Sequence, residues 1–186
     1  MACIYFVRHG QTFWNVDNKV CGRTDIDLTP AGYEQAEKTG KLIKEKIENG
    51  EVKFDEILAS PLLRAKHTAE TIAKITGIPM RIEPRLIEQS FGRYEGTARD
   101  GEEFQLSKQN FADSYSGGES MLRLGQRIFN LLDELKEKEE STGKTYLLVA
   151  HNGIARMVQA YFHDMTNEEF SKSGIKNCEL VRFDYK

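Results

Sequence analysis

Two histidines stand at the ends of apolar runs far apart in the chain. Arg8-His9-Gly10 comes after Ile4-Tyr5-Phe6-Val7, and His151-Asn152-Gly153 after Leu147-Leu148-Val149-Ala150. Both runs have the length and the Val, Ile, Leu and aromatic content of buried strands, which puts each histidine at a strand's carboxyl end. Ligands of open parallel sheets collect along that edge. Two imidazoles there, one beside an arginine, suit a site that handles an anion. A lone histidine reads as an ordinary structural residue, whereas a matched pair is harder to dismiss. A metal site is the alternative, because neutral imidazoles ligate metals and Glu88 or Asp25 can join them, although Arg8 would repel a divalent cation.

Arg64 falls in the first turn of a helix signalled by Ser60-Pro61. The helix dipole disfavours a cation there unless an anion or carboxylate is held as well; the plainer reading is a surface arginine lying over apolar neighbours. Glu88 follows Leu86-Ile87 and precedes a glycine-spaced stretch, so it emerges at the sheet's edge, where a carboxyl can serve as general acid. Its plainer reading is a salt bridge to Arg85 or Arg93. Asn15, Cys21 and Gly22 lie in the loop after the first triplet and taken singly pass as turn residues. Glycine there permits close approach of the backbone to a ligand.

The elements that must position these residues alternate between strand and helix. Thr29-Pro30 is a helix cap with proline at the first helical position, and Tyr33, Ala36, Gly40, Ile43 and Ile47 follow at helical spacing. Phe54 to Ala59 reads as a strand, and Ala65, Ala69, Ile72 and Ala73 line a helix capped by Ser60. Met80 to Ile87 reads as one extended segment interrupted near Pro84. Met121, Gly125, Ile128, Leu132 and Leu135 mark a long helix whose Lys and Glu run is solvent-facing. Ile154, Ala155, Val158, Tyr161 and Phe162 mark another, Thr166-Asn167-Glu168-Glu169 is a capping box, and Leu180 to Tyr185 closes the sheet. This order predicts a three-layer α/β/α sandwich: a mostly parallel central sheet with helices on both faces. Residues 88–118 form an insertion over the carboxyl edge, and 1–186 read as one domain. The aromatic residues of the insertion form its own small core, while its Arg93, Arg99 and Lys108 can meet a second anion.

The chain has 186 residues, 39% hydrophobic and 30% charged, as in soluble globular domains. A formal net charge of −3 argues against a nucleic-acid surface. The three cysteines are widely spaced and read as reduced thiols of a cytoplasmic protein. No leader and no apolar run near membrane length is expected, so no membrane partner is either.

Taken together, the residues resemble the histidine phosphatase superfamily, the phosphoglycerate mutase-like group, whose mark is Arg-His-Gly at the end of the first strand. The likeness runs in order through Arg8-His9-Gly10, Gln11-Thr12-Phe13-Trp14-Asn15, Cys21-Gly22-Arg23, Asp27-Leu28-Thr29-Pro30-Ala31-Gly32, Ser60-Pro61-Leu62-Leu63-Arg64-Ala65, Glu88 with Phe91-Gly92, and Val149-Ala150-His151. It implies that His9 attacks phosphorus and carries the phosphoryl group, that Glu88 protonates the leaving oxygen, and that Arg8, Arg64 and His151 hold the phosphoryl oxygens. His151 would then favour its protonated form. Asn15, Cys21 and Gly22 would line the substrate site. A small phosphorylated substrate is implied, and neither a metal nor an organic cofactor.

Departures from the family pattern separate its branches. The mutase branch has Glu-Arg-His-Tyr-Gly where this chain has Glu88-Gln89-Ser90-Phe91-Gly92, and a longer, more basic insertion. Asn152 stands between His151 and Gly153, and Gln11 replaces a glutamate. The resemblance therefore implies a phosphomonoesterase. The rivals are a phosphoglycerate mutase and a non-catalytic phospholigand-binding relative.

Overall fold

In the computed structural model, which describes residues 2–185, five strands build one sheet: β1 (Cys3–Arg8), β2 (Glu56–Ala59), β3 (Met80–Ile82), β4 (Tyr146–Ala150) and β5 (Leu180–Asp184). Their order is β3-β2-β4-β1-β5, all parallel except β5, which runs antiparallel beside β1. Successive strand side chains point to opposite faces. Ile4, Phe6, Leu58 and Leu148 accordingly join one core cluster, and Tyr5, Val7, Ile57, Leu147 and Val149 join another. Helices α5 (Met121–Thr142) and α6 (Asn152–Phe162) cover the first face; α2 (Pro30–Glu48) and α3 (Leu63–Thr76) cover the second. The result is the three-layer α/β/α architecture that the alternating pattern calls for.

Leu148 lies in the middle of the first cluster with no exposed surface. Leu148→Ala is expected to cost about 2–5 kcal/mol of stability, the range for truncating a buried leucine, read as a lower denaturant midpoint at constant m-value. A loss below about 1 kcal/mol would mean that the two faces are not close-packed against β4.

Several local expectations need correction. Helix α3 begins at Leu63, not at Pro61, and its N-cap Leu62 makes no side-chain cap. Asp25 caps it instead, its Oδ1 accepting from the Leu63 amide at 2.8 Å, while the Ser60 hydroxyl accepts from the Leu62 amide at 3.4 Å. The segment after Ile78 is extended only over Met80–Ile82, then turns through a short 3₁₀ turn at Pro84–Leu86, because proline fixes φ in a helical range. The charged end of α5 is not wholly solvent-facing: Glu139 is buried and both of its oxygens accept from the Cys3 amide. Two short helices escape the periodicity, α1 (Phe13–Val16) and, within the insertion, α4 (Glu102–Ser107). The short α7 (Asn167–Lys172) carries the expected Thr166–Glu169 capping box. Among the described residues no helix is long and apolar enough to cross a membrane.

Candidate active site

Strand register brings the two histidines together. β1 and β4 are parallel neighbours with Arg8 opposite Ala150, and the His9 amide extends the ladder to the Ala150 carbonyl at 2.9 Å. His9 and His151 are therefore the next residues on adjacent strands, with ring centroids 5.2 Å apart. β2 ends level with them: the Ser60 amide bonds the Val149 carbonyl, and its hydroxyl lies 2.7 Å from His151 Nε2. The segment leading into β5 closes the same edge from the other side, Asn177 donating to the His9 carbonyl at 2.7 Å and Arg8 to the Ile175 carbonyl at 3.0 Å.

The His9 ring is held through one of its two nitrogens. Its Nδ1 is 2.7 Å from the Gly10 carbonyl oxygen, which can only accept, so Nδ1 carries the proton and Nε2 keeps its lone pair. Burial, then the charges of Arg64 and Arg8, push its pKa well below the ordinary histidine value. His151 is pushed well down too, by burial and then by Arg64, His9 and Arg8. Arg8 Nε, Arg64 Nε and His151 Nδ1 are buried without a hydrogen-bond partner among the described residues. Buried polar atoms without partners are uncommon and call for an explanation such as a group accommodated beside them.

Arg64 is 1% exposed, which removes the surface-arginine reading. Its negative partners are not a carboxylate but the carbonyls of Gly22 and Thr24, at 2.6 and 3.0 Å. Glu88 is likewise buried and is not the partner of Arg85 or Arg93, which pair with Glu83 and Glu134, and with Glu103. Burial raises the Glu88 pKa above the usual carboxylate range even though the amides of Gln89 and Gly153 donate to its two oxygens at 2.9 and 3.0 Å. A Cβ on residue 153 would come within 2.4 Å of Glu88 Oε1. Glycine at 153, after the intervening Asn152, therefore sets the seat of Glu88.

Arg8, His9, Asn15, Cys21 and Glu88 line one pocket of about 130 Å³. Pockets for drug-sized ligands are larger, about 300–1000 Å³. Arg64, His151 and Gly22 are not on its wall. A Cβ on residue 10 would meet the Gly32 carbonyl at 2.5 Å, and one on residue 22 the Glu95 carboxylate at 2.1 Å and the Gln89 carbonyl at 2.3 Å, so protein atoms close on both glycines. Asn15 completes the capping box of α1, its Oδ1 accepting from the amide of the N-cap Thr12, which leaves its amide NH₂ as the polar group available to the pocket. Burial raises the Cys21 thiol pKa, so the wall there is neutral. Among the described residues no three His, Cys, Asp or Glu side chains gather as a metal set, and Asp25 is engaged at α3.

The sequence model of the histidine phosphatase superfamily (branch 1) matches residues 4–186. The chain belongs to this superfamily. A "Probable phosphoglycerate mutase GpmB" of Yersinia pestis is 32% identical over 193 aligned positions, spanning 100% of this chain and 86% of that protein. Among solved structures, a mycobacterial glucosyl-3-phosphoglycerate phosphatase complexed with VO₃ superimposes with a TM-score of 0.83 at 25% identity, covering 98% of this chain and 90% of that one. "Mycobacterial hydrolase 1" gives the same TM-score and identity, with 98% and 88% covered. Members of the superfamily are phosphatases or mutases, and this chain is accordingly an enzyme of that kind.

In this superfamily member the same pocket holds residues that periodicity alone does not single out. Asn152 and Arg156 are four apart on α6 and share the face turned to the pocket; the apolar stripe Ile154, Ala155 and Val158 draws attention to the opposite face. Arg99, Lys108, Phe91 and Phe104 arrive from the insertion. Phe91 also packs against Tyr94, Phe104, Tyr115 and Val20 as the insertion's own small core, so the aromatic residues there are chiefly structural. Arg93 points away from the pocket, stacked over Tyr94 and paired with Glu103.

Proposed function

We propose that the enzyme hydrolyses small phosphomonoesters through a phosphohistidine on His9, with residues 1–186 acting as one catalytic unit and 88–118 as its cap. The observation that carries the reading is the His9 imidazole, with Nδ1 tied to a carbonyl and Nε2 free beside Arg8 and a second histidine. In the first half-reaction Nε2 attacks phosphorus, the bond to the ester oxygen breaks, and Glu88 gives that oxygen its proton. In the second, the Glu88 carboxylate takes a proton from water, the water oxygen attacks phosphorus, and the bond to Nε2 breaks. Orthophosphate leaves, and His9 and Glu88 return to their starting protonation. Burial that raises the Glu88 pKa supplies an acid for the first step.

A phosphomonoester carries roughly −1.5 to −2 charges near neutral pH, which two arginines nearly offset. Arg8 and Arg64 take this part. A bound dianion would also draw the His151 pKa upward, opposing Arg64 and Arg8 and giving a further donor to the phosphoryl oxygens. Asn15 and the Cys21-Gly22 turn shape the rest of the phosphoryl site. The scheme uses neither metal nor organic cofactor. Three free cysteines support a cytoplasmic setting.

A phosphoglycerate mutase would share the first half-reaction and return the phosphoryl group to a second hydroxyl, a reading favoured by the printed name of the 32% identical relative. The departure of residues 88–92 from the mutase pattern supports water as acceptor. Assaying free phosphate and isomerised ester with and without a bisphosphorylated primer separates the two. Phosphate release independent of primer is expected; primer-dependent isomerisation with little free phosphate would overturn the hydrolase reading.

A further inference from the structure

Arg64 is held by two uncharged groups. Its Nη2 donates to the Gly22 carbonyl at 2.6 Å and its Nη1 to the Thr24 carbonyl at 3.0 Å. With both engaged, Nε is the donor left over, buried without a partner among the described residues. Where that donor points therefore depends on what fixes residues 22–24.

Glu95 fixes them. Its Oε1 accepts from the amides of Arg23 and Phe91, each at 3.0 Å. Its Oε2 accepts from the Gly22 amide at 3.0 Å, the Thr24 amide at 3.3 Å and the Thr24 hydroxyl at 2.8 Å. A carboxylate offers about four lone-pair sites, so this one is fully occupied by protein donors. Burial by itself would raise the Glu95 pKa, but the bonds from Phe91, Thr24, Gly22 and Arg23 outweigh it and hold the pKa below the usual carboxylate range. Glu95 is thus an anion at neutral pH. Gly22 fits the same arrangement, because a Cβ there would collide with Glu95 Oε1.

One peptide group joins the two charges. The unit between Gly22 and Arg23 donates its N–H to Glu95 Oε1, and its carbonyl accepts from Arg64 Nη2. Hydrogen bonds in such a chain polarise one another, so the carboxylate on the N–H makes the carbonyl a stronger acceptor for the guanidinium. A cation in the first turn of α3 calls for a negative partner. Arg64 meets one across a single peptide bond. The same turn is tied to Glu88, since Arg23 Nε donates to the Glu88 carbonyl at 3.3 Å.

We propose that Glu95 is a positioning residue of the phosphoryl site: through the Gly22–Arg23 peptide group it holds the Arg64 guanidinium where its free Nε can serve a phosphoryl oxygen. The inference rests on the proposed function for the part given to Arg64. Glu95 itself is not on the pocket wall and acts only through that arginine.

Titration of the full-length protein with inorganic phosphate, followed by amide NMR shifts, tests this as a double-mutant cycle. The four proteins are wild type, Glu95→Gln, Arg64→Met and the double variant. Glutamine keeps the size of the side chain and removes its charge. Glu95→Gln is expected to weaken phosphate binding about tenfold, the effect of one charge-assisted hydrogen bond lost from the ligand. In the Arg64→Met background the same substitution is expected to change the affinity by less than about twofold, because no guanidinium is left to position. Full affinity in Glu95→Gln, or an equal loss in both backgrounds, would overturn the proposal; the equal loss is what a merely structural role would give. If Arg64→Met does not fold by circular dichroism, solvent exchange of the Arg64 Nε–H in Glu95→Gln decides instead. Exchange about tenfold faster than in wild type is expected, and an unchanged rate overturns the proposal. Phosphate release from p-nitrophenyl phosphate by the wild type, measured in parallel, keeps the readings apart. A coupled cycle without turnover sinks the hydrolase reading and leaves this one; turnover with an uncoupled cycle does the reverse.

Discussion

Glu88→Gln is expected to lower kcat/KM for alkyl phosphates by about 10²–10⁴-fold, the usual contribution of a positioned general acid, while p-nitrophenyl phosphate loses far less. An alkoxide must be protonated as it leaves; nitrophenolate need not be. kcat/KM is the proper quantity because it reports the steps through the first P–O cleavage and so excludes the later role of Glu88 toward water. The substitution is also gentle. Glutamine keeps the shape, its amide oxygen can still accept from Gln89 or Gly153, and Gly153 leaves room for it. Equal slowing of both ester types would remove Glu88 from the acid role.

The same residue sets the pH dependence. Burial raises the Glu88 pKa, and the acid must be protonated to act, so kcat/KM falls as pH rises through that raised value. His9 must be unprotonated, and its pKa lies well below the ordinary 6.5, so no acid-side decline sets in until well below that pH. The wild-type profile is therefore expected to favour mildly acidic pH, and Glu88→Gln to lose the falling limb. A wild-type kcat/KM that climbs with pH through 6.5, corrected for the second ionisation of the ester itself, would contradict the lowered His9 pKa.

The residues of the site are legible in the sequence to the extent that local signals carry them. His9 and His151 announce themselves because apolar runs end at them, and Arg64 and Glu88 because each sits awkwardly for its place, a cation in a first helical turn and a carboxyl after an apolar pair. Their convergence is not local. It depends on β1 pairing with β4 across more than a hundred residues, and on the register that sets Arg8 opposite Ala150. Ser60 shows the limit of capping rules, since its hydroxyl meets His151 while Asp25, distant in sequence, caps α3. Gly10 and Gly22 show the same for glycine: the need for a missing side chain is visible, but which distant residues, Gly32 or Glu95 and Gln89, close on it is decided by tertiary packing. Arg156 stays hidden because an apolar stripe defines only the buried face of a helix, not what its polar face approaches.

The second large effect is expected at His9 itself. Removing a nucleophile leaves binding and charge stabilisation but no covalent route, so His9→Ala should lose about 10⁴-fold or more in kcat. The surroundings fit that role. Nδ1 donates to the Gly10 carbonyl, which fixes the ring and helps to bear the positive charge that Nε2 phosphorylation puts on it. A rapid alkaline quench of enzyme mixed with ³²P-labelled phosphomonoester tests the claim most directly. Wild type is predicted to retain alkali-stable, acid-labile label while His9→Ala retains none; label persisting on His9→Ala, or absent from both while wild type releases phosphate, would contradict a phosphohistidine at this position.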